Sequence, residues 1–296
     1  MASTLRIHLI FLAVALRALA LVPTEEDGNQ ALAIMSRMAA NASAATDARR
    51  QYVYHQQVRA ALSRSGGQLA RKETRDYTVT PRESITEKTL TSFSGEYRSG
   101  KRMAVYTRPG IKDAGDQGDR EAIEELIDGL VNAKNTRDGI PPALFPLHSN
   151  DLGHYVFSLK GETTLRGRRA YEIHFEPTDM NGVCIHVGAD EETPCYRWTG
   201  EVWIDMEDYE PIRIETKLAK GVPWGLRVFM GVDVRQYGFS VNYNRVAEKV
   251  WFPVSYGTEF RITVFWGYKR TVALSMENND FRRTDATFTI HFDFPQ

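Results

Sequence analysis

Residues 200–215 read Gly-Glu-Val-Trp-Ile-Asp-Met-Glu-Asp-Tyr-Glu-Pro-Ile-Arg-Ile-Glu. Val202 and Ile204 alternate with Glu201, Trp203 and Asp205, and Ile212 and Ile214 stand between Arg213 and Glu215. A period of two puts alternate side chains on opposite faces of an extended chain, so each half reads as a strand. Residues 206–210 are short, polar and acidic, as a hairpin connection requires. The pattern recurs over a long stretch of the chain, and this repetition makes paired antiparallel strands the expected frame.

Before the strands comes a helix. Leu32, Met35, Met38 and Ala39 recur at helical spacing within 24–50, where alanine is abundant. From Gln51 the period shifts to two. Tyr52, Tyr54 and Gln56 alternate with Val53, His55 and Gln57; Ser65-Gly66-Gly67 signals a turn; 68–80 reads as the return strand, closed by Pro81. Strands follow at 87–98 and 102–107. The segment 109–120 has no apolar pattern and reads as a loop. In 120–132 the residues Ile123, Leu126, Ile127 and Leu130 oppose Glu121, Glu124, Glu125 and Asp128, the pattern of an amphipathic helix. From His154 onward the reading is almost all strand, with 161–168 as a connection and further runs at 228–234, 238–242, 248–253, 258–266, 271–276 and 287–294. Many short strands with regular turn signals suggest a sheet, sandwich or barrel, with the early helices covering a face.

The totals set bounds. A chain of 296 residues has room for one large domain or two small ones, and no composition break after residue 24 marks a boundary, so 24–296 is expected to be a single domain. Hydrophobic residues at 42% and charged residues at 25% are ordinary for a globular protein. A net charge of −1 provides no global field for nucleic acid or an acidic membrane surface. Arg6, the apolar run 9–16 and the Ala18-Leu19-Ala20 pattern before Pro23 read as an export signal over 1–20, against a buried N-terminal helix as the alternative. The run is too short to span a bilayer, so the mature chain is expected to lack a transmembrane anchor and to be periplasmic or secreted. Cys184 and Cys195 are the expected disulfide in an oxidising compartment and two ordinary thiols in a reducing one.

Short catalytic signatures are missing: there is no Gly-x-Ser-x-Gly, no His-Glu-x-x-His and no phosphate-cradling glycine loop. His174, Cys184, His186 and Cys195 lie close in sequence, but their spacing matches no common zinc finger or ribbon, so no metal is assigned. Asp205, Glu207, Asp208 and Glu210 lack the spacing of a calcium loop and read as a solvated turn. Arg166 to Arg169 read as a solvated hairpin end. His174 beside Glu172 and Glu176 is the one local acid–base candidate, and shared strand faces of this kind are common. No catalytic residue and no cofactor are assigned.

The apolar strand faces point elsewhere. Tyr171, Ile173 and Phe175, then Ile212 and Ile214, then Ile262, Val264 and Trp266, then Phe288 and Ile290 would line one concave interior if the sheet curls. Curled sheets of this size either fill that interior or enclose a ligand cavity.

Four segments carry a family resemblance: Gly-Arg-Arg-Ala-Tyr-Glu-Ile-His-Phe-Glu-Pro at 167–177, Gly-Glu-Val-Trp-Ile-Asp at 200–205, Pro-Ile-Arg-Ile-Glu at 211–215 and Lys-Val-Trp-Phe-Pro at 249–253. Following an export signal and an amphipathic helix, they make the chain resemble the LolA-like superfamily of periplasmic lipoprotein carriers and outer-membrane lipoprotein-sorting relatives, over about 28–296. The resemblance implies an α+β, mainly antiparallel fold: a curled, incomplete β-barrel with helices covering the concave side. It also implies an apolar cavity for a lipid or lipoprotein acyl chain, held without catalysis. The chain is longer than the short carriers and adds the Cys184–Cys195 loop. The expected function is therefore an exported, soluble acyl-chain carrier or chaperone. The alternative is a periplasmic interaction or sensor module that docks an envelope protein partner on the curved sheet.

Overall fold

The computed structural model describes residues 25–82, 86–111, 115–131, 137–178, 198–219, 232–235, 238–264 and 267–284. Helix α1 (Glu25–Arg49) leads into β1 (Tyr52–Ser63), β2 (Leu69–Pro81), β3 (Thr86–Ser99) and β4 (Arg102–Tyr106). Helix α2 (Gln117–Val131) and two 3-10 turns follow, then β5 (Tyr155–Leu165), β6 (Arg168–Pro177), β7 (Trp198–Asp205) and β8 (Pro211–Leu218). The chain continues through β9 (Val232–Arg235), β10 (Gly238–Ala247), β11 (Val250–Val264) and β12 (Tyr268–Arg283). The strands form one antiparallel sheet in the order β4-β3-β2-β1-β12-β11-β10-β8-β7-β6-β5, with β9 pairing the end of β11. Among the described residues β4 and β5 are free edges, so the sheet is a curled barrel that does not close. Helix α1 packs on β5 and β11, and α2 on β1 and β2.

Alternation fixes which face is concave. On β1, Tyr52, Tyr54, Gln56, Val58, Ala60 and Leu62 are buried while the residues between them are partly or fully exposed. The register carries this parity across the sheet: Val58, Ala60 and Leu62 pair with Met276, Leu274 and Val272 on β12. On the other side they pair with Arg75, Glu73 and Arg71 on β2. The interior is therefore apolar under β12 and charged under β2. From β7 and β8 it takes Val202, Ile204, Ile212 and Ile214, all buried.

Several sequence readings change. Residues 161–168 are not a loose connection: β5 runs on to Leu165 and a two-residue turn of Arg166 (φ 54°) and Gly167 (φ 78°) leads into β6, a left-handed pair that suits the twist of a tight hairpin. The described parts of the two runs, from 250 to 253 and from 258 to 264, belong to a single strand, β11, which passes through Pro253 without breaking. Helix α2 starts earlier, where Asp116 Oδ1 accepts the Asp119 N–H at 3.1 Å and caps it. On α1 the stripe facing the core is Ala31, Ile34, Met35, Met38, Ala39, Ala42 and Ala45, and Leu32 is 43% exposed. The small alanines let the helix backbone approach the sheet, and Leu32 falls to the flank.

The acidic turn is not solvated. Strand β7 keeps its period through Ile204 and Asp205, which pair with Tyr171 and Ala170, while on β8 the register shift leaves Ile212 as an extra residue between Arg213 and Pro211; Asp205 is nevertheless buried. Asp205 accepts Arg168 Nη2 at 3.0 Å and the N–H groups of Glu207 and Asp208 at 3.1 and 2.8 Å. Asp208 accepts Trp251 Nε1 at 3.0 Å. Glu207 remains exposed, but Glu210 is buried. Helix α1 reaches this turn through Asn41, which donates to Asp208 O at 2.9 Å, and Arg37, whose guanidinium lies 3.8 Å from the Tyr209 ring centroid.

Residues 1–20, Cys184, His186, Cys195, Trp266, Phe288, Ile290 and the expected strand 287–294 lie outside the described residues. No described helix is long and apolar enough to cross a membrane.

Candidate functional site: an apolar cavity under α2

Helix α2 is apolar on two sides. Ile123, Ile127 and Leu130 are buried, and the helix packs on β1 and β2. Ala122, Leu126 and Gly129, one helical turn apart, line, together with Leu130, a cavity of about 760 Å³ whose opposite wall is the concave face of β11 and β12. That volume lies in the range of small-molecule and cofactor sites, ~300–1,000 Å³. Its walls are mostly hydrocarbon.

The strand wall follows from the pairing of β11 with β12, in which Thr258 faces Leu274, Phe260 faces Val272 and Ile262 faces Arg270. Tyr256, Thr258, Phe260 and Ile262 project inward from β11 because they share one parity, and Leu274 and Tyr268 join them from β12. Glu121 and Glu125, both exposed, also contribute to the lining. At Gly129 a Cβ would meet nothing within 4 Å, so this glycine faces open space.

A buried polar clasp holds the N-terminal end of the helix. Asp119 accepts Arg270 Nε at 2.6 Å, Arg270 Nη2 at 3.1 Å and the Tyr268 hydroxyl at 2.7 Å. Burial, together with the bonded Asp119 carboxylate, pushes the Tyr268 phenol well above its ordinary pKa, so it stays a neutral donor. Burial works against the Arg270 charge, and the bond to Asp119 more than offsets it. Two charged groups and a phenol thus satisfy one another beside an apolar space without presenting a free charge to it.

The residues named from sequence separate into three groups. Ile173, Phe175, Ile212 and Ile214 are on the concave side, fully or almost fully buried, in the same core cluster as Ile34, Met35 and Met38 of α1. Tyr171 is half-buried, with its ring 6.0 Å from that of Tyr209. Ile262 lines the cavity; Val264 continues β11 as its last residue, with only its backbone described. Tyr256, Thr258, Phe260 and Leu274 were not singled out, although extending the parity of Ile262 backward along β11 reaches the first three. His174 faces Glu201 across the β6–β7 pair, with Nδ1 3.6 Å from its carboxylate, and not Glu172 or Glu176. Among the described residues no group of His, Cys, Asp and Glu is arranged to hold a metal ion.

No protein-family model matches the chain, and no curated protein matches it. Solved structures do. A DUF1329 family protein from Desulfovibrio piger is 13% identical, with 89% of this chain and 95% of that one covered and a TM-score of 0.36. A putative outer membrane lipoprotein-sorting protein domain from Vibrio parahaemolyticus is 11% identical, with 88% and 95% covered and a TM-score of 0.33. A LolA superfamily protein from Nitrosomonas europaea is 11% identical, with 88% and 94% covered and a TM-score of 0.31.

Proposed function

We propose that the protein is a non-enzymatic carrier that holds the hydrocarbon part of a lipid or lipoprotein acyl group in the cavity between α2 and the β11–β12 hairpin. The observation behind this reading is the cavity itself: about 760 Å³, walled by Leu126, Phe260, Ile262 and Leu274, under a helix that packs on only part of its apolar surface. Each methylene moved from water into such a space contributes ~0.8 kcal/mol, and a chain of a dozen would outweigh the ordering it requires. Helix α2 would move by pivoting on its seat against β1 and β2, made by Ile123, Ile127 and Leu130, once the Asp119 clasp to β12 yields. The export signal read at 1–20 would place this activity in the periplasm or outside the cell.

Extraction of the purified protein followed by mass spectrometry of the organic phase tests the reading, with displacement of a fluorescent fatty acid as the solution measurement. Co-purifying lipid and saturable uptake are expected, and Ile262→Glu should abolish uptake without unfolding the sheet. A protein that is reproducibly empty and ignores the fluorescent fatty acid is not a carrier.

A further inference from the structure

A second cavity, of about 390 Å³, lies at the C-terminal end of α1, between the helix, the 137–148 segment and the strands β8, β10 and β11. Its walls include the rings of Phe145, Tyr243 and Trp251, all buried, together with Arg49, Asp138 and Glu210.

Most of the polar groups there are already satisfied. Arg49 bonds Asp138 at 2.7 Å, Ala42 O at 3.1 Å and Thr46 Oγ1 at 3.3 Å. Asp138 also accepts the Ile140 N–H at 3.2 Å. The Tyr243 hydroxyl donates to Leu144 O. Asp208, on the same turn as Glu210, is engaged by Trp251 Nε1 at 3.0 Å and lies 3.6 Å from Arg245. Glu210 differs. It is 6% exposed, yet among the described residues no donor bonds its carboxylate and no cation lies within ion-pair distance. Its carboxylate oxygens are not sealed from solvent but open on the cavity, where a guest of the right charge can replace water beside a largely desolvated group.

The surroundings narrow the chemistry of that guest. An anion would meet Glu210, with Arg49 committed to Asp138 and Arg137, the other cation of the lining, turned to the exposed rim beside Asp47 at 3.8 Å. A purely apolar guest would leave the carboxylate unpaired. A cation satisfies Glu210 and gains further from the aromatic rings that line the same cavity, of which Trp251 is already faced by the Arg168 guanidinium at 5.4 Å.

We propose that this second cavity is a binding site for a small organic ammonium group, with Glu210 as its counter-ion and Trp251, Tyr243 and Phe145 as its aromatic walls. The site is independent of the acyl cavity and does not rest on the carrier reading. The ammonium group has two sources, a free alkylamine or the amine headgroup of a phospholipid. Burial pushes the Glu210 carboxyl up to about 7, with Arg49 lowering it and Asp208 raising it. Ammonium binding is therefore coupled to loss of a proton at mildly acidic pH.

The test is calorimetric titration of the full chain with n-hexylammonium, n-hexanol and n-hexanoate at pH 8. Saturable n-hexylammonium binding, at least tenfold tighter than the other two, is expected. Glu210→Gln, nearly identical in shape, should weaken it at least tenfold and leave the melting temperature unchanged or raised. Should that variant fail to fold, the unmodified protein decides: at pH 6 the binding heat should vary with the ionisation enthalpy of the buffer, reporting proton release, and at pH 8.5 it should not. A short-chain phosphatidylethanolamine that displaces n-hexylammonium identifies the lipid headgroup as the source; retained n-hexylammonium binding without that competition identifies a free amine. Equal binding of n-hexanol or n-hexanoate, equal binding by Glu210→Gln, or no saturable heat overturns the proposal.

Discussion

Asp119 in the first turn of α2 accepts two hydrogen bonds from Arg270 on β12, at 2.6 and 3.1 Å, with both side chains largely buried. Asp119→Asn keeps the shape and removes the charge, leaving a buried guanidinium. Breaking one side of a buried pair costs about 3–5 kcal/mol. The lower end is expected here, because Arg270 keeps Lys269 O at 2.9 Å and the Tyr268 ring at 4.3 Å. Urea unfolding should show this loss, and stopped-flow release of a bound fluorescent fatty acid should be several-fold faster than from the unmodified protein. Slower or unchanged release would mean that α2 does not gate the cavity.

Gly129 is an exposed glycine in the last turn of α2 that lines the cavity with open space around it. Gly129→Ala should stabilise the protein by at most about 1 kcal/mol through helix propensity alone, since the added methyl meets no neighbour, and by less than in a helix interior because the site is in the last turn. Gly129→Leu places a branched side chain in the void. Its expected effect is a fold that melts at or above the original temperature and takes up a fatty acid at least tenfold more weakly. Full uptake by this variant would locate acyl binding elsewhere.

The legible part of the fold was its alternation. Strands β7 and β8 and their parity were readable because Val202, Ile212 and Ile214 repeat at period two, and α2 because Ile123, Ile127 and Leu130 repeat at helical spacing. The position of the cavity was not readable. Ile173 and Ile262 are equivalent in the sequence, each apolar and flanked by polar residues. Ile173 is fully buried in the core cluster shared with α1, whereas Ile262 lies opposite the flank of α2 that the helix leaves uncovered. That difference depends on where a helix lands across several strands, which local periodicity does not encode. Asp205 reads as solvated because period two puts it on the face opposite Ile204; Arg168 and the N–H groups of its own turn engage it there, and local periodicity announces neither. The partner of Asp205, Arg168, sits on the neighbouring strand.

Glu73 on β2 gathers three donors in the charged part of the interior: Arg75 Nη2 at 2.6 Å, Arg71 Nη2 at 3.2 Å and the Tyr106 hydroxyl at 2.6 Å. Glu73→Gln should cost about 3–5 kcal/mol, because two buried guanidinium groups lose their shared counter-ion. Gly95 on β3 makes room for the third donor: a Cβ there would lie 2.3 Å from Tyr106 Cζ. Gly95→Ala should therefore displace Tyr106 and destabilise the fold through the same network. Chemical unfolding of the two single variants and the double variant checks this, with a combined loss clearly smaller than the sum expected. Simple additivity would show that Tyr106 is held by something other than Glu73.

Glu210 and Asp205, at opposite ends of one short turn, give opposite dependences of stability on pH. For Asp205 burial works against the charge, but Arg168 and the backbone N–H groups hold its carboxyl below the ordinary range. Its stabilisation is present above the ordinary carboxylate pKa and is lost as pH falls through the depressed one. Burial raises Glu210 from 4.5 to about 7, so below 4.5 the group is neutral in both states and has no effect. As pH rises from there to 7 the unfolded chain gives up a proton that the folded protein keeps. Stability therefore falls across this window and levels off above 7, by on the order of 3 kcal/mol at ~1.4 kcal/mol per pKa unit. Glu210→Gln removes the proton exchange, so its urea midpoint should equal that of the unmodified protein near pH 4.5 and exceed it at pH 8. Lys88, whose ammonium is lowered to about 8 by burial, titrates in both proteins and cancels in the difference. A difference between the two proteins that stays constant from pH 4.5 to 8 would mean that the Glu210 carboxyl already has a partner in the folded state, and the cation site argued from its isolation would fail with it.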